Sequence, residues 1–364
     1  MRIMKVLWLL ILSLWSTSLL AESATQDVYQ VLRQEAQGYA EVTPNRVFTF
    51  PQDHAPHPEY RIEWWYITAN LTDPNGKAWG IQWTLFRQAL TPTPILNGWK
   101  SNQMWMAHAA LSTPNGYFPA QRFARGGIGQ AGVTTEPFAA WLDDWSWQSR
   151  SNLPFPSILK FAVDDWVLAF ELQSDQPWVL QGDKGYSQKS AGNQASYYYS
   201  QPHIKIKGTA TRKGQSIPLS GTAWLDREWS SQPLAPNQQG WDWFSLHFND
   251  GYALMVYQLR HNDGQHWLSG SWVTPEGLSQ TLKAEDIVLT PNTLQTIEVL
   301  KQSQSIPLTL PLNWTLELPK LNKRWQITTP YPNQWMAAQF PYWEGIVEVD
   351  GGKSGRGYME LTGY

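Results

Sequence analysis

The stretch "GTAWLDREWSSQ", Gly221 to Gln232, sets Asp226, Arg227 and Glu228 between Trp224 and Trp229. On a β-strand, alternation puts Trp224, Asp226 and Glu228 on one face and Leu225, Arg227 and Trp229 on the other. Two carboxylates two residues apart on one face lie about 7 Å from each other. That spacing suits a coupled acid pair, or one acid and one base. It equally suits a carboxylate ladder capped by an arginine of a neighbouring strand, such as Arg87 or Arg260.

Three other places carry residues of the right type. In "IEWWYITANL" a strand would align Glu63, Trp65, Ile67 and Ala69 on one face and Trp64, Tyr66 and Thr68 on the other. Glu63 is then either an acid with a raised pKa or a structural acceptor for indole N–H groups or an arginine. In "GWDWFSLHF" Trp241, Trp243, Ser245 and His247 share a face, and Asp242 sits with Phe244, Leu246 and Phe248, where a carboxylate is costly unless satisfied. "MWMAHAAL" sets His108 in mid-strand, as a satisfied core residue or a pocket group. His54 and His57 ("HAPH") fall in a Pro-rich loop and are expected to be solvated, and the histidines show no zinc-type spacing. "GGKS" and "GGIGQAG" lack the strand–helix context of nucleotide loops, and no G-x-S-x-G is present.

The elements that must position these residues are short strands. Runs rich in Trp, Tyr, Val, Ile and Thr are divided by turns such as "DPNG", "TPNG", "NDG" and "TPEG". The one helical pattern covers 25–37, with Val28, Leu32 and Ala36 on one face. Four stretches recur in the same order: 64–87 resembles 241–260, 108–116 resembles 269–277, 208–214 resembles 345–351, and 221–229 resembles 355–364. A tandem duplication of one β-domain accounts for that order, and Asp226 then matches Glu360. Each copy holds roughly eight strands, enough to close into a barrel with one small ligand in its lumen, a sandwich being the other possibility.

Of the 364 residues, 27 are basic and 30 acidic, which gives no electrostatic case for nucleic acid or an anionic membrane. There are no cysteines, so disulfides, thiol catalysis and a lipid-modified N-terminal Cys are excluded. Twenty-three tryptophans either pack the core or line a cavity. Arg2, Lys5 and the apolar run Val6–Leu20 read as a signal peptide, residues 1–21, with an uncleaved anchor as the alternative, followed by a helix and leading segment 22–60 and domains over 61–232 and 233–364. The mature chain has no further run of spanning length, and a periplasmic or secreted protein is expected.

"EWWYITANL", "WLDREWSSQPLAPNQQGWDWFSLHFNDG", "MVYQLR" and "YWEGIVEVDGGKSGRGYMELTGY" resemble the AttH/CrtC family, which includes carotenoid hydratases and many secreted bacterial proteins. The resemblance covers Arg61 to Tyr364 and implies an all-β chain of two tandem lipocalin-like β-barrels. Asp226, Glu228, Asp242 and His108 are its candidate catalytic residues. Glu63, Trp65, Tyr66, Trp224, Arg227, Trp229, Trp241, Trp243, Tyr257 and Trp343 are its candidate ligand-binding residues. Many relatives have histidine where this chain has Arg227, and an arginine cannot shuttle protons near neutral pH. Secreted relatives are often encoded beside ABC transporter permeases, which implies a possible partner. Two functions follow: binding of a small hydrophobic, lipid- or isoprenoid-like ligand without cofactor or metal, or hydration of an isolated C=C by a carboxylic acid kept neutral in an aromatic pocket.

Overall fold

The structure, a computed structural model, describes residues 29–92, 94–301 and 304–364. The expected signal peptide lies outside the described residues. Of the helix expected over 25–37, the described part is one turn, Gln30–Arg33, and the backbone is already extended at Gln34. So short a helix has no stability of its own. It is held by Leu32, packed between the two sheets, and by Tyr29, set edge-on against Trp241. No helix among the described residues is long and apolar enough to cross a membrane.

Two antiparallel sheets make up the rest, one of thirteen strands and one of ten, consistent with two lipocalin-like barrels. In the first, Gly116–Arg125, Gln103–Thr113, Ala78–Ala89 and Ile62–Thr72 follow one another. Ile62–Thr72 then pairs with the distant Gln215–Ser230, and that strand with Ala195–Arg212. The second sheet repeats the order. Ser279–Leu282, His266–Val273, Ala253–His261 and Gln238–Phe248 lead to Gly355–Thr362 and Tyr342–Gly351.

The register tests the internal repeat residue by residue. Tyr66 lies opposite Asp226 and Trp243 opposite Glu360, so Trp64–Tyr66 matches Trp241–Trp243 and Asp226 matches Glu360. His108 opposite Thr84 matches Ser269 opposite Tyr257. The third stretch lies on equivalent strands but out of step. Gln201 lies opposite Leu225 as Gly345 lies opposite Met359, so Gly345 matches Gln201 rather than Gly208.

Both barrel interiors are filled. Trp65, Trp83, Trp145 and Trp147 meet Ile67, Leu85, Leu159 and Leu168 inside the first, and Trp314, Trp325 and Trp343 meet Phe244 and Leu316 inside the second. The sequence leaves open a pocket in a lumen or between the barrels; indole rings occupy the lumens. Part of the outer face of each sheet is also covered, where the two pack on one another. Tyr66 meets Trp243 edge-on at 5.3 Å, and Gln82 donates to the Tyr342 hydroxyl at 2.6 Å. At Gly80 the sheets come so close that a methyl group would collide with Ile346 and Tyr358.

Candidate functional site

The charged candidates divide by the face of the strand they occupy. Arg227 points inward, at the mouth of the first barrel. Its guanidinium lies over the Trp65 ring at 3.8 Å and the Trp229 ring at 4.9 Å, and it pairs with Glu63. Arg87 pairs with the same carboxylate and donates to the carbonyl oxygens of His57 and Tyr60. Burial opposes charge on Glu63, but Arg87 and then Arg227 outweigh it and hold the carboxyl well below its usual range. His57, expected in solvent, is stacked on Trp229 at 3.9 Å and touches Glu63 and Asp53; His54 is hydrogen-bonded to the Tyr199 hydroxyl at 2.6 Å. The loop folds back because the Glu63 cluster needs its donors. Both oxygens of Glu63 are committed to arginines, so the cluster locks the barrel mouth. Arg227 belongs to it.

Asp242 is similarly engaged in the second barrel, by Arg260, by Gln258 at 2.6 Å and by the Tyr364 hydroxyl at 2.8 Å. The arginines weighed as caps for Asp226 and Glu228 thus serve Glu63 and Asp242. Trp343 donates to the Pro332 carbonyl inside the second core, and Trp65 to that of His54.

Asp226 and Glu228 point the other way, into a cavity of about 170 Å³ between the sheets. Its walls are built from equivalent positions of the two repeats. The first sheet supplies Trp64, Tyr66, Phe86, Met104, Met106, His108, Tyr198, Asp226 and Glu228; the second supplies Trp241, Trp243, Tyr257, Leu259, Tyr342 and Glu360. Tyr29 and Leu32 of the short helix and Leu234 of the connecting segment close one side.

Asp226 accepts three hydrogen bonds: from the Tyr198 hydroxyl at 2.5 Å on Oδ2, and from Ser200 at 2.5 Å and the Trp224 indole at 2.6 Å on Oδ1. Trp224 therefore supports the site from behind its wall. Burial pushes the Asp226 carboxyl up to about 7, against those three bonds and with help from the charge of Glu228. Only the indole is an obligate donor; the two hydroxyls can donate or accept. A protonated Asp226 can therefore hand its hydrogen to Tyr198, whose own hydrogen then faces the cavity. Trp243 donates to the same phenol oxygen at 3.3 Å.

Glu228, two residues along the strand on the same face, is paired with Lys189 at 2.8 Å and accepts from Ser196. Burial opposes charge on Lys189, but Glu228 beside it raises its pKa. Lys189 also lies 4.3 Å from the Tyr257 ring centre. Glu360 faces this wall. Trp241 holds its Oε1 at 2.6 Å. Burial pushes it up to about 8, opposed by that bond and reinforced by the charges of Asp226 and Glu228. What surface Glu360 keeps opens into the cavity.

His108 forms a neutral corner. Burial pushes it down to about 3. Gln121 has its oxygen taken by the Gln339 N–H, so its amide nitrogen at 2.8 Å donates to His108 Nε2. The ring then carries hydrogen on Nδ1, 2.8 Å from the Tyr342 hydroxyl. Behind this corner Tyr66 donates to Glu344 at 2.5 Å, and burial, then Glu360, raise the Glu344 pKa well above its usual value.

Of the candidates, the cavity brings together Asp226, Glu228, His108, Tyr66, Trp241, Trp243 and Tyr257; Glu63, Trp65, Arg227, Trp229, Asp242 and Trp343 lie elsewhere, and Trp224 backs the wall. Sequence reasoning passed over Tyr198, Lys189 and Tyr342 and gave Glu360 no role. Alternation along "SYYYS" would have found one of them, because Ser196, Tyr198 and Ser200 share the face that meets Glu228 and Asp226.

The family model described as AttH-like matches residues 41–364. A crystal structure of an AttH protein from Nitrosomonas europaea is 36% identical, with a TM-score of 0.75, covering 89% of this chain and 99% of that one. The crystal structure of kievitone hydratase from Nectria haematococca shares the fold, with a TM-score of 0.66 over 91% of this chain and 97% of that one, at 15% identity. No characterised protein matches in sequence.

Proposed function

The chain belongs to the AttH-like family, and from that premise we propose that it binds an apolar, alkene-bearing molecule between its two sheets and adds water across the double bond. The observation that carries this reading is the Tyr198–Asp226 pair, an acid poised near neutral pH and aimed into an aromatic cavity. A hydratase among the proteins of this fold agrees with it.

An isolated C=C is protonated only by a positioned acid beside something that tolerates a carbocation. Asp226 supplies the proton through Tyr198. The π electrons form the new C–H bond, and positive charge develops on the more substituted carbon. The faces of Trp64, Trp241 and Trp243 suit that charge. Water adds its lone pair to the cation and gives up a proton to Glu360, on the opposite wall. The active form is the pair Asp226/Glu360 holding one proton. A cavity of about 170 Å³ is close to the engineered cavities of about 150 Å³ that hold benzene. It therefore takes a terminal group such as a prenyl end, and the rest of the molecule extends through the mouth.

Incubation with prenylated and isoprenoid alkenes in D2O tests this. Wild type places deuterium on carbon and a hydroxyl beside it, and Asp226→Asn places neither. The second reading, carriage of an apolar ligand, is favoured by the many aromatic and aliphatic side chains of the lining. It wins if both proteins retain the alkene unchanged.

A further inference from the structure

The loop between the strands Ala78–Ala89 and Gln103–Thr113 is built to hold apolar side chains outward. Asn102 pins it from within, donating from Nδ2 to the Thr91 carbonyl at 2.9 Å, the Thr91 hydroxyl at 3.0 Å and the Pro94 carbonyl at 3.1 Å. Its far turn is packed against a neighbouring loop, since a methyl group at Gly127 would strike the backbone of Gly98. Held this way, Leu90, Ile95 and Trp99 are 57, 47 and 76% exposed, and Leu96 is exposed beside them. Trp99 alone among the described tryptophans is left exposed, in a fold that covers the others at least in part.

The loop continues the cavity. Phe86 and Gln88 before it, and Met104 and Met106 after it, line the site. Phe123, on the edge strand, lies in register with Met106 and is itself exposed, so apolar surface runs from the loop inward. Lys100 is the single charged residue of 89–102, and the exposed Arg125 lies in register with Met104.

We propose that the loop segment Ile95–Lys100 docks this protein on a lipid bilayer, with Trp99 and Leu96 seated in the headgroup region and the cavity mouth turned toward the lipid. The composition of the loop favours lipid over a protein partner: exposed aliphatic and indole side chains, a lysine beside them, and no carboxylate within 89–102. Membrane-surface anchors combine those same groups, and phosphate headgroups complement the two cations. A molecule apolar enough for the cavity is dissolved in that same lipid. Docking holds whether the molecule is hydrated or carried.

Flotation of residues 22–364 with phosphatidylcholine vesicles, with and without phosphatidylglycerol, tests the proposal. Wild type floats with both and more strongly with the anionic lipid. The double variant Trp99→Ser, Leu96→Ser binds at least about tenfold more weakly, and Trp99→Ser alone, at a side chain 76% exposed, weakens binding with its melting temperature unchanged. Lys100→Ala with Arg125→Ala loses only the gain from phosphatidylglycerol. Wild type that floats with neither vesicle, or a double variant that floats like wild type, overturns the proposal. It falls equally if wild type ignores vesicles and self-associates through Trp99, a result sedimentation velocity would show.

Discussion

Replacing Asp226 by Asn should stabilise the protein above neutral pH while abolishing turnover. In the folded chain this carboxyl is pushed from an ordinary 3.8 up to about 7. The folded state therefore binds its proton more tightly than the unfolded state does. Stability then falls as pH rises from about 4 to about 7 and levels off above that. Three pH units at about 1.4 kcal/mol each put the cost at roughly 4 kcal/mol above pH 7, as an upper estimate for a fully enclosed group. Asn at this position keeps the geometry: its oxygen accepts from Trp224 and Ser200, and its amide donates to the Tyr198 oxygen. Denaturant unfolding at pH 8 should therefore show the variant more stable by about 1–4 kcal/mol. At pH 4 the two proteins should coincide. A variant less stable than wild type at pH 8 would refute the reasoning, because it would make Asp226 an ionised structural anchor rather than a poised acid.

The Glu63 cluster predicts the opposite behaviour. Arg227→Met leaves the buried Glu63 with Arg87 as its one remaining arginine partner and should cost about 3–5 kcal/mol in denaturant unfolding. Gly80→Ala forces a methyl group between the sheets and should lower stability by about 1–3 kcal/mol, measured the same way. Turnover should follow a bell with its maximum between about pH 7 and 8, because Asp226 must keep its proton and Glu360 must lose one. A rate that rises steadily through pH 9 would show that Asp226 is not the acid.

Much of this arrangement is legible in the chain. Alternation along Trp224–Trp229 separates Asp226 and Glu228 from Arg227, and the order of the internal repeat is enough to pair Asp226 with Glu360. Which face is the interior is not legible. Trp occurs on both faces of Ile62–Thr72, since one face fills the barrel and the other meets the second sheet, and a strand buried on both sides loses the polar alternation that would orient it. Lys189 and Tyr29 reach the cavity from segments whose placement depends on tertiary packing. His57 reads as a loop residue until Glu63 and Trp229 are set beneath it. The place of the pocket is not legible either, because large side chains that could line a lumen can equally fill it, as they do here.

The account stands or falls on where an apolar ligand sits. Crystals soaked with a brominated isoprenoid should show anomalous bromine density between Trp64, Trp243 and Glu360, with the remainder of the molecule leaving past Met104. Bromine density inside either barrel, beside Trp83 and Trp147 or beside Trp314 and Trp325, would contradict it.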